Sequence, residues 1–315
     1  MPADNIPPIR PYCPSDSSAL IGLLNDCLTA DASPDGVTLD FGLPGLSCLS
    51  DATDRGCHVC HAEGELAAAV WIDREVGARH IGHLYIRPKW RTQALARALL
   101  QIAFHHAQGF PEAAFDVSVT PGERFQREAL TALGFRHVRT WWRMRVMLED
   151  SRAVQWPPGL SIRSFRPGSD EVMLTQLVNQ VFSDEWGEGV RSLQDMQETV
   201  GQAVFDPDLL LFLEDCGRVV GYSWSWIDQQ KIALLGRSCA FISNLGVVAS
   251  DRGRGLGRIL LLHTLSQLRA RGMTEAELDV DAPNVPARHL YASVGFVDIV
   301  EQQWHRRLLS VRCSL

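Results

Sequence analysis

No apolar run in the 315-residue chain approaches the ~18 residues that a membrane-spanning helix requires; the densest short one is Leu209 to Leu213. The start, Met1 to Tyr12, carries prolines and lacks the basic opening and apolar core of a signal peptide. These absences lead to the expectation of a cytoplasmic protein with no membrane partner. Positive charge is also short: 30 lysines and arginines against 37 acidic residues leave a net charge of −7. With little basic surface to release phosphate counterions, nucleic acid is not an expected partner. Disulfides are not expected either, because eight cysteines in a chain this long without a secretory start read as reduced thiols. The hydrophobic share of 46% and charged share of 21% exclude a disordered or fibrous chain. At ~150 residues per domain, the length suggests two domains.

The chain repeats itself. Ala132-Leu133-Gly134-Phe135 is echoed by Ser293-Val294-Gly295-Phe296, and Arg91 by Arg252, both 161 residues on. Ile9-Arg10-Pro11 with Asp16 matches Ile162-Arg163-Ser164 with Asp170 at 153 and 154. Trp156-Pro157-Pro158-Gly159 breaks regular structure between the copies, which puts the boundary near residue 150 and predicts domains over 1–150 and 151–315. Each copy reads as mixed α and β. In the second, a strand over 160–165 precedes an apolar helix through Met173 to Val181, then a hairpin turning at Gly217. A strand over 241–248, a helix over 255–271 stopped by Gly272, a strand over 275–280 and a short helix to Val294 complete it. The first copy follows suit, with a hairpin at Glu63-Gly64, a strand over 80–86 and a helix over 94–108.

The segment Leu245 to Arg258 runs from strand through a glycine-rich turn into a helix. Glycines let backbone approach a ligand, and a helix start offers unpaired N–H groups, so together they form a phosphate cradle. The spacing excludes two common cradles: Arg258 stands where a dinucleotide fingerprint needs glycine, and the Gly-Lys-Ser/Thr of a P-loop is absent. A plain strand-to-helix turn is the bland alternative.

Arg252-x-x-Gly255-x-Gly257, preceded by Leu245-x-Val247, resembles the acyl-CoA motif of the GNAT N-acetyltransferases; Asn284, Leu290-Tyr291 and Gly295-Phe296 follow at the family's spacing. With Phe205-Asp206-Pro207-Asp208 before the hairpin, the two copies look most like the tandem members of mycothiol-synthase type. The resemblance covers 160–307 well and the first copy more weakly. It implies an α/β (α+β) fold of two tandem GNAT domains, each a mixed central sheet flanked by helices. It also implies acetyl transfer from acetyl-CoA, without a metal, to a small-molecule or peptide primary amine in a ternary complex. On that reading the backbone of Gly253, Arg254, Gly255, Leu256, Gly257 and Arg258 holds the CoA pyrophosphate, with Arg252, Arg254 and Arg258 adding charge. Leu245, Gly246 and Val247 lie along the pantetheine arm, and Asn284 belongs to the donor site. A strand N–H there stabilises the oxyanion, and Tyr291 protonates the departing thiolate. Mycothiol synthase proper and a non-catalytic CoA-sensing protein remain the alternatives, as a monomer or homodimer.

Asp279 is the candidate base, five residues before Asn284, with Asp281 on the same strand face; a solvated carboxylate or an acceptor-binding group are the other readings. The loop Asp184-Glu185-Trp186-Gly187-Glu188 is a solvated acidic segment or a cation-binding one. In the first copy, alanines at 94 and 96 replace the cradle glycines, and Leu130 and Glu123 replace Tyr291 and Asn284, so no catalysis is expected there. Cys57-His58-Val59-Cys60-His61 fits a haem-attachment pattern but falls on a strand of the repeat, which favours a structural role. The tryptophans at 141, 142, 224 and 226 are expected in packing.

Overall fold

The computed structural model describes residues 6–31, 56–75, 79–109, 114–148, 157–183, 185–186, 189–202 and 205–309. The chain divides into two compact units, 1–141 with 300–315 and 142–299. The first holds strands β1 (Ile9–Pro11), β2 (His58–Ala62), β3 (Glu65–Glu75), β4 (Arg79–Ile86) and β5 (Ala114–Val119), with helices α1 (Ser17–Asp31), α2 (Gln93–Ala107) and α3 (Arg124–Ala132). Strand β6 (Arg136–Met147) crosses into the second unit, which continues with β7 (Leu160–Ser164), α4 (Glu171–Val181), α5 (Leu193–Val200), β8 (Leu210–Asp215) and β9 (Arg218–Trp226). Then come α6 (Gln229–Leu235), β10 (Cys239–Val247), α7 (Leu256–Ala270), β11 (Glu275–Asp281) and α8 (Val285–Val294), and β12 (Val297–Leu308) returns the chain to the first unit.

Strand order is β1-β2-β3-β4-β5-β12 in the first unit and β6-β11-β10-β9-β8-β7 in the second. The contact-based division therefore departs from a cut at residue 150, which itself lies outside the described residues. The last strand of each repeat completes the sheet of the other unit: β12 pairs antiparallel with β5 from Gln303↔Val119 to Leu308↔Ala114, and β6 lies beside β11.

The repeat motifs turn out to be matched structural staples. Arg10 donates to both carboxylate oxygens of Asp16 at 2.7 and 2.6 Å, and Arg163 to those of Asp170 at 2.7 and 3.1 Å. Arg91 Nε donates to the Ile86 carbonyl at 3.0 Å, and Arg252 Nε to the Val247 carbonyl at 3.0 Å. The hairpins turn on residues with positive φ, Glu63-Gly64 (52° and 85°) and Cys216-Gly217 (49° and 80°), the mirror-image turn that suits strand twist. Cys57 and Cys60 are core residues at 3% and 0% exposure; burial pushes their thiols up to about 12 and about 11. Neutral buried thiols of this kind pack rather than ligate. Among the described residues, no helix is long and apolar enough to cross a membrane.

Candidate active site

Among the described residues, a parallel strand pair occurs in each unit, and each pair splays. In the second unit β10 and β11 pair from Cys239↔Glu275 only as far as Ile242↔Leu278. Strand β10 continues to Val247, pairing with β9, after an irregularity between Ile242 and Asn244. Beyond that point β10 and β11 make no ladder, which leaves a wedge whose β10 edge presents backbone polar groups to a ligand. Leu245 and Gly246 are half-buried along this edge, and Val247 is buried.

The wedge ends at the start of α7. Gly253 and Gly255 have φ of 78° and 77°, a conformation that favours glycine. Gly255 is the N-cap and carries no side chain to satisfy the first N–H groups of the helix. A Cβ at either glycine would meet nothing within 4 Å, so the turn borders open space beside the helix start. Of the three arginines, Arg252 is mainly structural, since it also donates to the Val181 carbonyl at 3.0 Å. Arg254 bridges Asp251 at 2.7 Å and Asp215 at 2.8 Å. Hydrogen bonds from Arg218 and Ser250, with Arg254 adding to them, hold the Asp251 carboxyl down to about 2. Arg258 donates to Ser293 Oγ at 2.6 Å. Leu256 anchors the helix start in the core, and Gly257 packs against Leu290.

Across the wedge, Asn284 caps α8 by accepting from the Ala287 N–H at 3.2 Å. Tyr291 is 7% exposed and its ring leans on Phe296, with centroids 5.7 Å apart. Burial, reinforced by the charge of Glu185, pushes its phenol above the ordinary tyrosine range, so the group holds its proton at neutral pH.

Asp279, the candidate base, lies in an ion pair. Both its oxygens accept from Arg143, at 2.6 and 2.8 Å. Arg143 is fully buried and stacks over Phe241 at 4.9 Å. Both carboxylate oxygens are thus engaged by one buried arginine fork. The same face continues as an ionic lattice. Arg145 reaches Glu275 at 3.4 Å and Glu277 at 3.0 Å; Arg237 reaches Glu275 and, at 3.3 Å, Glu277. Burial alone would push Glu277 up, but Arg143 and Arg145 hold it below the usual range. Cys239, Glu275 and Glu277 bring donor atoms within 4.8 Å of one another. Arginines already take both carboxylates, and burial pushes the Cys239 thiol up to about 12, so the geometry is that of an ion-pair lattice rather than a cation site. Of the acidic loop, Glu185 is described and half-buried, whereas residues 184, 187 and 188 lie outside the described residues.

The first unit shows the same splay without the cradle. Strand β4 pairs with β5 from Arg79↔Ala114 to Gly82↔Val117 and then separates, leaving a cavity of about 460 Å³ lined in part by Leu84, Ile86, Thr120, Gln126 and Trp304. Helix α2 starts at Gln93, two places earlier in the repeat than α7, so the phosphate loop is wound into helix. Its N-cap Thr92 accepts from the Leu95 N–H at 3.2 Å. Buried Gln126 donates to the Leu84 carbonyl at 3.2 Å; the matched residues in the second unit are Ala287 and Leu245, where no such plug exists. In the first unit Thr92 thus accepts from a helix-start N–H and Gln126 spans from α3 to β4.

The model of the acetyltransferase (GNAT) family matches residues 173–296, and that of the acetyltransferase (GNAT) domain matches 49–140. A mycothiol acetyltransferase from Thermomonospora curvata is 34% identical over 233 residues, 72% of this chain and 74% of that protein. One from Thermobifida fusca is 29% identical over 282 residues, 80% and 86% of the two chains. Among solved structures, a GCN5-related N-acetyltransferase from Sphaerobacter thermophilus superposes with a TM-score of 0.75 at 23% identity over 97% of both chains. A tandem GNAT protein of the clavulanic acid biosynthesis pathway gives 0.69 at 16%, over 96% and 98%. The chain belongs to the GNAT acetyltransferase family, as a tandem-domain enzyme similar to the mycothiol acetyltransferases.

Proposed function

We propose that the second unit alone carries the reaction, taking acetyl from acetyl-CoA and passing it to a primary amine. The open cradle of Gly253 to Arg258, at the mouth of the β10–β11 wedge, is the observation that carries this reading. The backbone of 253–258 holds the pyrophosphate, and the free edge of Leu245 to Val247 holds the pantetheine amides. The same edge offers an N–H to the oxyanion that forms as the amine attacks. Asn284 fixes the start of α8 and so places Tyr291, whose phenol gives its proton to the leaving sulfur. Asp279 keeps the sheet charge-balanced. The first unit, with its cradle wound into α2 and its wedge bridged by Gln126, is a structural partner in a cytoplasmic enzyme.

Resemblance to mycothiol synthase directs the choice of acceptor to a cysteinyl-glucosaminyl-inositol. Incubation with acetyl-CoA and this amine is expected to release CoA in step with a product heavier by one acetyl group. Acetylation of other amines in a panel while this one is ignored would keep the transferase and discard the acceptor.

A further inference from the structure

The β10–β11 wedge is closed at one end, where Ile242 pairs with Leu278, and open at the other, toward the start of α7. A donor with its pyrophosphate at the cradle of 253–258 and its arm along β10 therefore brings its thioester toward the closed end. Asn244 stands there. It is the first residue of β10 to pair with β9 after the irregularity, opposite Trp224, and it shares a strand face with Gly246. That face has a wall: a Cβ built on Gly246 would lie 2.1 Å from Val181 Cγ1 and 3.5 Å from Phe182 Cζ, at the end of α4.

The Asn244 side chain is held from one side. Trp224 and Trp226 stack with centroids 5.4 Å apart, and Phe205 packs edge-on against them at 5.6 and 6.4 Å. From this stack the Trp226 indole N–H donates to Ser243 Oγ at 3.2 Å. Ser243, the residue within the irregularity, has one hydrogen to give; the Trp224 carbonyl at 3.1 Å and Asn244 Oδ1 at 3.2 Å share it. The amide oxygen of Asn244 thus faces Ser243. Its amide nitrogen donates no hydrogen bond among the described residues, although Asn244 is half-buried. That nitrogen carries two N–H donors and no lone pair to offer, so the group it can receive is an oxygen.

Resting on the proposed acetyl transfer and deepening it, we infer that Asn244 selects the acceptor, its side-chain N–H donating to a carbonyl oxygen attached to the amine-bearing carbon. Asn244 lies two residues from Gly246, ~7 Å along the strand at ~3.3 Å per residue. A group fixed by its side chain is therefore within a few bonds of an acetyl carbon held on the Leu245–Val247 edge. The cysteinyl amide of the cysteinyl-glucosaminyl-inositol presents this arrangement, and a simple alkyl amine lacks it. Holding the carbonyl orients the neighbouring nitrogen toward the thioester. Ser243, braced by the tryptophan stack, is the positioning residue that fixes the amide before the acceptor arrives.

Two acceptors separate this role from a structural one: L-cysteinamide, and cysteamine, which is the same amine without the carbonyl. Asn244→Leu, which keeps the side-chain volume, and Asn244→Ala should each lower kcat/KM for cysteinamide by ~10-fold, the scale of one hydrogen bond, chiefly through KM. Both variants should acetylate cysteamine as the native chain does. Ser243→Ala should give a smaller loss of the same kind. Calorimetric titration of cysteinamide into the CoA-bound enzyme should show the same weakening, with acetyl-CoA affinity at its native value. Equal losses for the two amines, or native values with cysteinamide in both Asn244 variants, overturn the inference and leave the transferase standing. So does a native enzyme that takes cysteamine and ignores cysteinamide. A native enzyme that releases CoA with no amine at all would remove the transferase reading itself, and the inference with it.

Discussion

Tyr291→Phe is expected to lower kcat by ~10²-fold or more, the usual scale for general acid catalysis, while acetyl-CoA binds as before. The substitution keeps the ring against Phe296 and the Tyr291 place in the core around Leu261 and Phe296. Only the hydroxyl is lost, and it makes no hydrogen bond among the described residues that would add a folding cost. The raised phenol sets the pH dependence. A donor whose protonated form is favoured stays competent through the neutral range, so the native profile shows no basic limb from Tyr291 below its ordinary value of ~10. Pre-steady-state rates, where chemistry limits, are the measurement. A Tyr291→Phe enzyme with the native rate removes the proton-donor role.

The largest effect on stability is expected from Arg143→Met. Arg143 is 0% exposed and holds Asp279 bidentately, with Glu277 3.6 Å away. Glu277 keeps Arg145 and Arg237, but Asp279 loses its arginine fork. Removing one partner of a buried pair costs ~3–5 kcal/mol because a charge is left without compensation. Denaturant unfolding should show this loss, and Arg143→Met with Asp279→Leu should recover most of it, since replacing both ions leaves no stranded charge. Asp279→Asn should then appear as lost stability rather than as a rate defect confined to low pH. A single variant Arg143→Met as stable as the native chain would break this account of Asp279.

What the sequence carried and what it withheld divide along a physical line. Features encoded within a few residues were legible: the matched positions Arg10/Asp16 and Arg163/Asp170, which the fold makes into staples, the glycine turns of the hairpins, and the glycine-rich turn of Gly253 and Gly255 before α7. Matched Arg91 and Arg252 were legible as a repeat, yet their shared bond to a strand carbonyl shows a structural job for Arg252, first assigned to phosphate. The loss of the first cradle was visible as alanine for glycine. The extension of α2 over it had its own signal in Thr92, a capping residue before a helical apolar pattern. Long-range pairing was not legible. The arginine that holds Asp279 stands 136 positions away, and no spacing rule joins them. The exchange of β6 and β12 depends on which sheet edge each strand meets, a tertiary choice that strand propensity does not encode.

Calorimetric titration of acetyl-CoA into the native chain, Gly255→Val and Ala94→Val tests the central claim most directly. Gly255 holds a φ of 77° at the cradle, and a β-branched residue there carries strain of ~1–3 kcal/mol as well as a side chain in the phosphate space. Ala94, its counterpart, lies in the first turn of α2, where valine costs a few tenths of a kcal/mol in helix propensity and touches no cradle. The account predicts one acetyl-CoA per native chain, affinity weakened ~10- to 100-fold or more in Gly255→Val, and native binding in Ala94→Val. Two molecules bound per chain, or native affinity in Gly255→Val, would contradict it.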